Sequence, residues 1–134
     1  MSDRETVERE GRELLAAFMT ALNAHDPAAM DACLHFPHMR IGDGRVDVYD
    51  APGQNPPGQD PMDMFERLKR EDGWHSSSWD DIHLVQWGPS KTHFALDFTR
   101  YREDGSVIGV WQTLCILTKK DGKWGMQARS SYGP

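Results

Sequence analysis

Apolar residues near the N-terminus recur every three to four positions. Val7, Gly11, Leu14, Leu15, Phe18 and Leu22 fall on one stripe, and the opposite face is charged. That period predicts an amphipathic helix over residues 3–24 with one face for a core. Ser2 and Glu5 have capping-box spacing, and Asp3 would serve as N-cap as well. Asp26-Pro27 restarts a helix, with Asp as the cap and Pro at the first helical position, where its missing N–H costs nothing. This second helix is short, with Met30, Cys33 and Leu34 turned inward, and Pro37 ends anything helical.

The pattern then changes. Residues 35–41 read as a strand, Gly42-Asp43-Gly44 as a turn, and 45–49 as the return strand. Residues 50–61 hold four of the eight prolines, two glycines and no aliphatic larger than Ala51. They predict an exposed loop of the kind that closes over a site. Asp60-Pro61 repeats the start signal, and a third helix runs through Phe65 and Leu68 to a stop at Gly73. Strands at 75–87, 92–102, 107–119 and 123–132 follow, the last three joined by Asp104-Gly105 and Asp121-Gly122. Such dipeptides between β-rich runs are strong hairpin signals. Helices followed by an antiparallel meander predict an α+β domain spanning 1–134, three N-terminal helices packed on a strongly curved, mainly antiparallel sheet.

Two-residue turns fix a register, and a slip of one residue would exchange the two faces of a strand. They place Phe98 opposite Trp111 and Trp111 opposite Tyr132, then Leu96, Thr113 and Ser130 in one row. Phe94, Cys115 and Ala128 make the next row, and Leu117 with Met126 follows. This face is apolar at one end and gains hydroxyls towards the other, so the helices should cover it and a cavity should open at the Trp111/Tyr132 end. The opposite face mixes His93, Ala95, Asp97, Thr99, Gln112, Leu114, Ile116, Gln127 and Arg129. That mixture fits either an exposed antiparallel face or a sheet-to-sheet homodimer, and we expect the dimer. For the strand at 75–87, a turn limited to Pro89-Ser90 turns His83 and Val85 inward. One residue more turns Ile82 and Leu84 inward with Asp80 on the same face, and the aliphatic pair favours this alternative.

Composition narrows the function classes. The chain has 134 residues, 38% of them hydrophobic, enough for a core without staples. With 15 Lys and Arg against 21 Asp and Glu its net charge is −6, and no basic stripe appears, so nucleic acid is not an expected partner. No apolar run approaches the ~20 residues that span a bilayer, which argues against a membrane partner. The N-terminus has no apolar signal segment, and Cys33 and Cys115 sit in apolar stretches without a disulfide framework; the expected location is cytoplasmic.

Two stretches carry a family resemblance: Leu14-Leu15-Ala16-Ala17-Phe18 through Asn23-Ala24-His25-Asp26-Pro27-Ala28-Ala29-Met30, and the closing strands. The latter are Phe98-Thr99-Arg100-Tyr101-Arg102-Glu103-Asp104-Gly105 and Asp121-Gly122-Lys123-Trp124-Gly125-Met126-Gln127-Ala128-Arg129-Ser130-Ser131. Nearly the whole chain resembles the nuclear-transport-factor-2-like (NTF2-like, SnoaL-like) superfamily, which includes ketosteroid isomerase and scytalone dehydratase. The resemblance implies a cone-shaped α+β domain, a pocket between sheet and helices, a homodimer, and an acid, a base or both in the catalytic members. It departs from the isomerases where they place a carboxylate base on the strand after the second helix and a Tyr on the first helix. Here that strand reads His35-Phe36-Pro37-His38-Met39-Arg40-Ile41, and the first helix has no Tyr.

The candidate catalytic group is His75 with Asp80, His38 and Tyr132. A buried His beside a carboxylate is a general base near neutral pH, because the carboxylate holds the tautomer and raises basicity. His75 or His38 would be the base, Asp80 its orienter or the acid, and Tyr132 the donor to developing oxyanion charge. In the resembling fold the start of the strand that carries His75 and Asp80 lies at the cavity mouth. The competing reading has His75 packing near a helix end and Asp80 bonding a serine among 76–78. Trp74, Phe98, Trp111, Thr113, Ser130 and His35 are the candidate substrate-binding residues, an aromatic wall with hydroxyls that need partners. His35 and His38 are three apart on a strand and point to opposite faces, so they are not expected to share a metal. Ser76–Ser78 lack a nucleophile elbow, and Gly42 and Gly44 are turn residues, so no cofactor is expected. Two functions follow: an acid–base isomerase, dehydratase or cyclase acting on a small hydrophobic metabolite, or a non-catalytic ligand-binding or dimerisation domain.

Overall fold

The computed structural model describes residues 3–133. Helix α1 (Asp3–Asn23) leads into α2 (Pro27–Ala32), the hairpin β1 (Leu34–Gly42) and β2 (Arg45–Tyr49), then α3 (Pro61–Asp72). Strands β3 (Trp74–Trp87), β4 (Lys91–Arg102), β5 (Val107–Lys120) and β6 (Lys123–Ser131) complete it. One sheet runs in the order β2-β1-β6-β5-β4-β3; β1 and β6 are parallel and the other pairs antiparallel. Among the described residues no helix is long and apolar enough to cross a membrane.

The helical layer is uneven: one long helix and two short ones, the third inserted after the first hairpin rather than grouped with the others. Both Asp-Pro signals act as read. The Asp26 carboxylate accepts from Ala29 N–H at 3.1 Å, and that of Asp60 from Met62 N–H at 2.9 Å. Gly73 closes α3 at φ 72, a left-handed position that other residues resist. The helices cover one sheet face, and Leu15, Phe18, Phe94, Cys115, Leu117 and Met126 are fully buried between the layers. Gly11 lets α1 approach closely: a Cβ there would lie 2.6 Å from the Phe94 ring.

Register shifts within β3 and β6 decide which residues face inward. Between β4 and β5 the expected pairs form, with Phe98 opposite Trp111, Leu96 opposite Thr113 and Phe94 opposite Cys115, and the register departs from the expected one only beyond a shift between Arg100 and Tyr101. In β3, Ile82 and Leu84 do pack on the core, but through a shift between Leu84 and Gln86 and not through a longer turn. Gly88 N–H donates to the Lys91 carbonyl, Gln86 pairs with His93, and Leu84 pairs with Phe94. The register then shifts between Asp80 and His83, where Asp81 takes φ 52. Asp tolerates that left-handed conformation, and the extra residue turns over the strand back to Ser76, where a further shift returns Trp74 inward. Trp79 therefore faces inward opposite Phe98, and Asp80 sits on the outer face opposite Asp97, contrary to the expected inward Asp80.

In β6, Leu117 pairs with Met126 as expected, and the shift between Leu117 and Ile116 leaves Gln127 as the extra residue. Beyond it Cys115 pairs with Arg129 and Thr113 with Ser131. The expected rows Cys115/Ala128, Thr113/Ser130 and Trp111/Tyr132 are thus displaced by one. Ala128, Ser130 and Tyr132 turn to the outer face, and Arg129 and Ser131 turn in.

Candidate functional site

A cavity of about 100 Å³ lies between the sheet and the helical layer. Its apolar wall comes from Phe18, Met19 and Leu22 of α1, Met30 of α2, Met64 and Leu68 of α3, and the aromatic residues Trp74, Trp79 and Phe98. Hydrogen bonds hold the tryptophans. Trp79 Nε1–H donates to the Leu15 carbonyl at 2.8 Å, and Trp74 Nε1–H to Ser77 Oγ at 2.9 Å. Ser77 is fixed in turn by Asn23, whose amide accepts from Ser77 N–H and donates to its carbonyl, both at 2.8 Å. The Asn23 side chain thereby completes the hydrogen bonding of an edge strand. The loop between β2 and α3 adds Asn55 and Gln59 to the lining, and Gly53 N–H ties that loop to the Asp31 carboxylate at 3.0 Å.

The polar side of the cavity is basic. His38 and Arg40 alternate on β1, Arg100 follows Phe98 by two on β4, and Arg129 comes inward past the Gln127 bulge. His38 is fully buried. Its Nδ1 lies 3.0 Å from the Met126 carbonyl, so that nitrogen carries the proton and donates. Nε2 then accepts from Arg129 Nε–H at 3.4 Å. Burial, with the Arg129 charge next, pushes the imidazole down from 6.5 to about 3. Burial and the nearby Arg40 charge lower both Arg100 and Arg129 to about 10, and both stay charged at neutral pH. The Arg129 guanidinium lies 5.0 Å over the Phe18 ring, and that of Arg100 lies 4.9 Å over Trp111.

Of the candidate residues, the cavity brings together His38, Trp74, Phe98 and Thr113. Thr113 Oγ1 donates to the Ser130 carbonyl at 2.9 Å, so the hydroxyl has its partner in the sheet. Trp111 stands one ring behind, 5.3 Å from Phe98, outside the lining. His75 is exposed, beside the shift that follows Trp74. Asp80 accepts from Thr99 Oγ1 at 2.6 Å and from Ser78 Oγ at 3.0 Å, a hydroxyl network on the outer face. Tyr132 is 68% exposed. His35 packs over Gly125, with Nδ1 2.9 Å from Thr118 Oγ1, and burial lowers its pKa. His75, Asp80, Tyr132, Ser130 and His35 therefore lie outside the cavity lining.

The three arginines, Trp79 and Ser77 were not among the candidates. Period-two alternation, His38 to Arg40 and Phe98 to Arg100, marked two of them. Arg129 and Trp79 needed the bulges. Among the described residues no group of three His, Cys, Asp or Glu has the geometry to hold a metal. Both cysteines are buried, and burial pushes the Cys115 thiol up to about 12.

No protein-family model and no curated protein matches the chain. Solved structures do. An NTF2-like protein with a cystatin-like fold from Novosphingobium aromaticivorans superposes with TM-score 0.70 at 13% identity, over 93% of this chain and 80% of that one. A ketosteroid isomerase-like protein from Erwinia carotovora atroseptica gives 0.61 at 20%, over 92% and 94%. The hexachlorocyclohexane dehydrochlorinase LinA-type3 of Novosphingobium barchaimii gives 0.68 at 12%, over 96% and 87%. With its helices on one face of a mixed six-stranded sheet, the chain has the cystatin-like, NTF2-like fold.

Proposed function

We propose that this chain is a small-molecule-binding domain that seats a hydrophobic ligand between α1, α3 and the sheet, and that binding rather than proton transfer is its role. The observation that supports this is the lining itself: a concave wall of Trp74, Trp79, Phe98 and aliphatic residues facing a polar side that carries His38 and three arginines. A general base at neutral pH needs a pKa near 7 and a free lone pair. His38, the imidazole in the wall, sits near 3 and turns its lone pair towards Arg129. His75 and Asp80 are on other surfaces. The proposal includes the sheet-to-sheet homodimer, supported by half-buried Ala95, Leu114 and Ile116 on the outer face, and a cytoplasmic location.

A proton-transfer reading has one observation in its favour, the likeness to a dehydrochlorinase, and would have to work through His38. A thermal-shift screen against small metabolites separates the two. A ligand at a hundred times its Kd stabilises by about 2.7 kcal/mol. Hits should disappear in Leu22→Trp, which fills the cavity, and should not be turned over. Turnover that is lost in His38→Gln would replace binding with catalysis. Hits that survive Leu22→Trp would remove the ligand from this cavity.

A further inference from the structure

The cavity has two chemically distinct sides, and the basic one is costly to build. Arg40 on β1 and Arg129 on β6 are register partners in the parallel strand pair and face the same way, and Arg100 joins them from β4. The acidic residue in the lining, Asp31, accepts the Gly53 N–H. Asp47, opposite Arg40 across the hairpin, is held by Arg45 at 2.9 Å. Among the described residues neither Arg40 nor Arg129 forms an ion pair with a carboxylate. Arg40 instead meets the Met64 sulfur at 4.0 Å, and Arg129 meets His38 and the Phe18 ring. Like charges gathered in a largely desolvated cleft repel and lose hydration, which does nothing for folding. An anion between Arg40 and Arg129 relieves both costs, and the Arg129 pKa, depressed by burial and by Arg40, would rise when it binds.

Resting on the binding function above, we propose that the ligand is a small hydrophobic carboxylic acid. Its apolar body lies against Trp74, Trp79 and Phe98, and its carboxylate is held by Arg129 and Arg40. The planar guanidinium fork matches a carboxylate, and Arg binds such groups in preference to Lys for that reason. The ligand is small because the cavity, open on one side to solvent, measures about 100 Å³.

The test is calorimetric titration of the full chain at fixed ionic strength with two matched pairs, benzoate against benzamide and hexanoate against hexanamide. Each pair keeps shape and exchanges the charge. Carboxylates should bind roughly 10- to 100-fold more tightly than their amides, the range expected of charge-assisted hydrogen bonds. Arg129→Gln and, separately, Arg40→Gln should remove most of that difference, lowering carboxylate affinity far more than amide affinity. Arg40→Gln carries the test if Arg129→Gln does not fold, as checked by circular dichroism. Equal affinity within both pairs would overturn the acid as ligand and leave the binding function standing. A preference that survives both Arg substitutions would overturn the seat. Failure of all four probes to bind would overturn the acid as ligand, and the thermal-shift screen with Leu22→Trp decides the binding function separately.

Discussion

Acidifying the protein from pH 7 to pH 5 should destabilise it through His38. The ring is fully buried, Nδ1–H donates to the Met126 carbonyl, and Nε2 faces Arg129. A second proton would sit against a guanidinium in an enclosed site, so the native pKa falls to about 3 from the ordinary 6.5. In the unfolded chain the same ring titrates near 6.5. Between those values the unfolded state holds a proton that the native state does not. The stabilisation is therefore complete above about 6.5 and is lost progressively as pH falls towards 3. The limiting slope is about 1.4 kcal/mol per pH unit, and integration from pH 7 to 5 gives a loss of about 2 kcal/mol. For a domain of this size that lowers Tm by roughly 6–10 °C. His35, whose pKa is also lowered, adds in the same direction, so the decisive quantity is a difference. Urea unfolding of the native chain and of His38→Gln at both pH values isolates it. The native chain should lose about 2 kcal/mol more than the variant, and the His38 Cε1–H resonance should not move between pH 8 and 5. Equal losses, or a His38 titration midpoint above 6, would refute the reasoning.

Other substitutions test the packing and the faces. Asn23→Ala leaves the Ser77 N–H and carbonyl without their side-chain partner and should cost about 1–3 kcal/mol in chemical unfolding. Gly11→Ala gains about 1 kcal/mol of helix propensity but drives a methyl into the buried Phe94 ring, 2.6 Å away. Overpacking costs about 1–3 kcal/mol, so Tm should fall; a higher Tm would refute the close approach. Cys33 and Cys115 are buried with raised pKa values, so a thiol reagent should label neither in the native protein and both in denaturant. For the proposed outer-face dimer, sedimentation should give twice the chain's 15.2 kDa, and Ile116→Glu should return it to one. A native chain that sediments as a monomer would remove the dimer.

The helices were legible because their signals are local. Asp26-Pro27 and Asp60-Pro61 start α2 and α3 whatever surrounds them, and Gly73 stops α3 by its own geometry. The expected β4–β5 pairs also form, but not through the turn alone: Tyr101 pairs with Val107 beside it, and a shift between Arg100 and Tyr101 restores the expected register from Arg100 inward. The site depends on what happens along the strands. One extra residue at Asp81 moved Asp80 out and Trp79 in, and one at Gln127 exchanged Ser130 and Tyr132 for Arg129 and Ser131. A bulge carries little local signature: Gln127 is bonded to the Pro37 carbonyl and to Thr118, partners 90 and nine residues away. Histidines also drew attention by residue type, and burial then separated them. His38 lies in the cavity wall, and His75, with the same intrinsic chemistry, is in solvent.

The most direct test of the ligand seat uses the methionines. Met19, Met30 and Met64 line the cavity, whereas Met39 and Met62 are 41% and 46% exposed and lie outside it. With methyl-labelled methionine, titration of benzoate should move the Met19, Met30 and Met64 methyl resonances together and leave Met39 and Met62 in place. Shifts confined to Met39 or Met62, or none at saturating benzoate, would contradict a ligand held between the helices and the sheet.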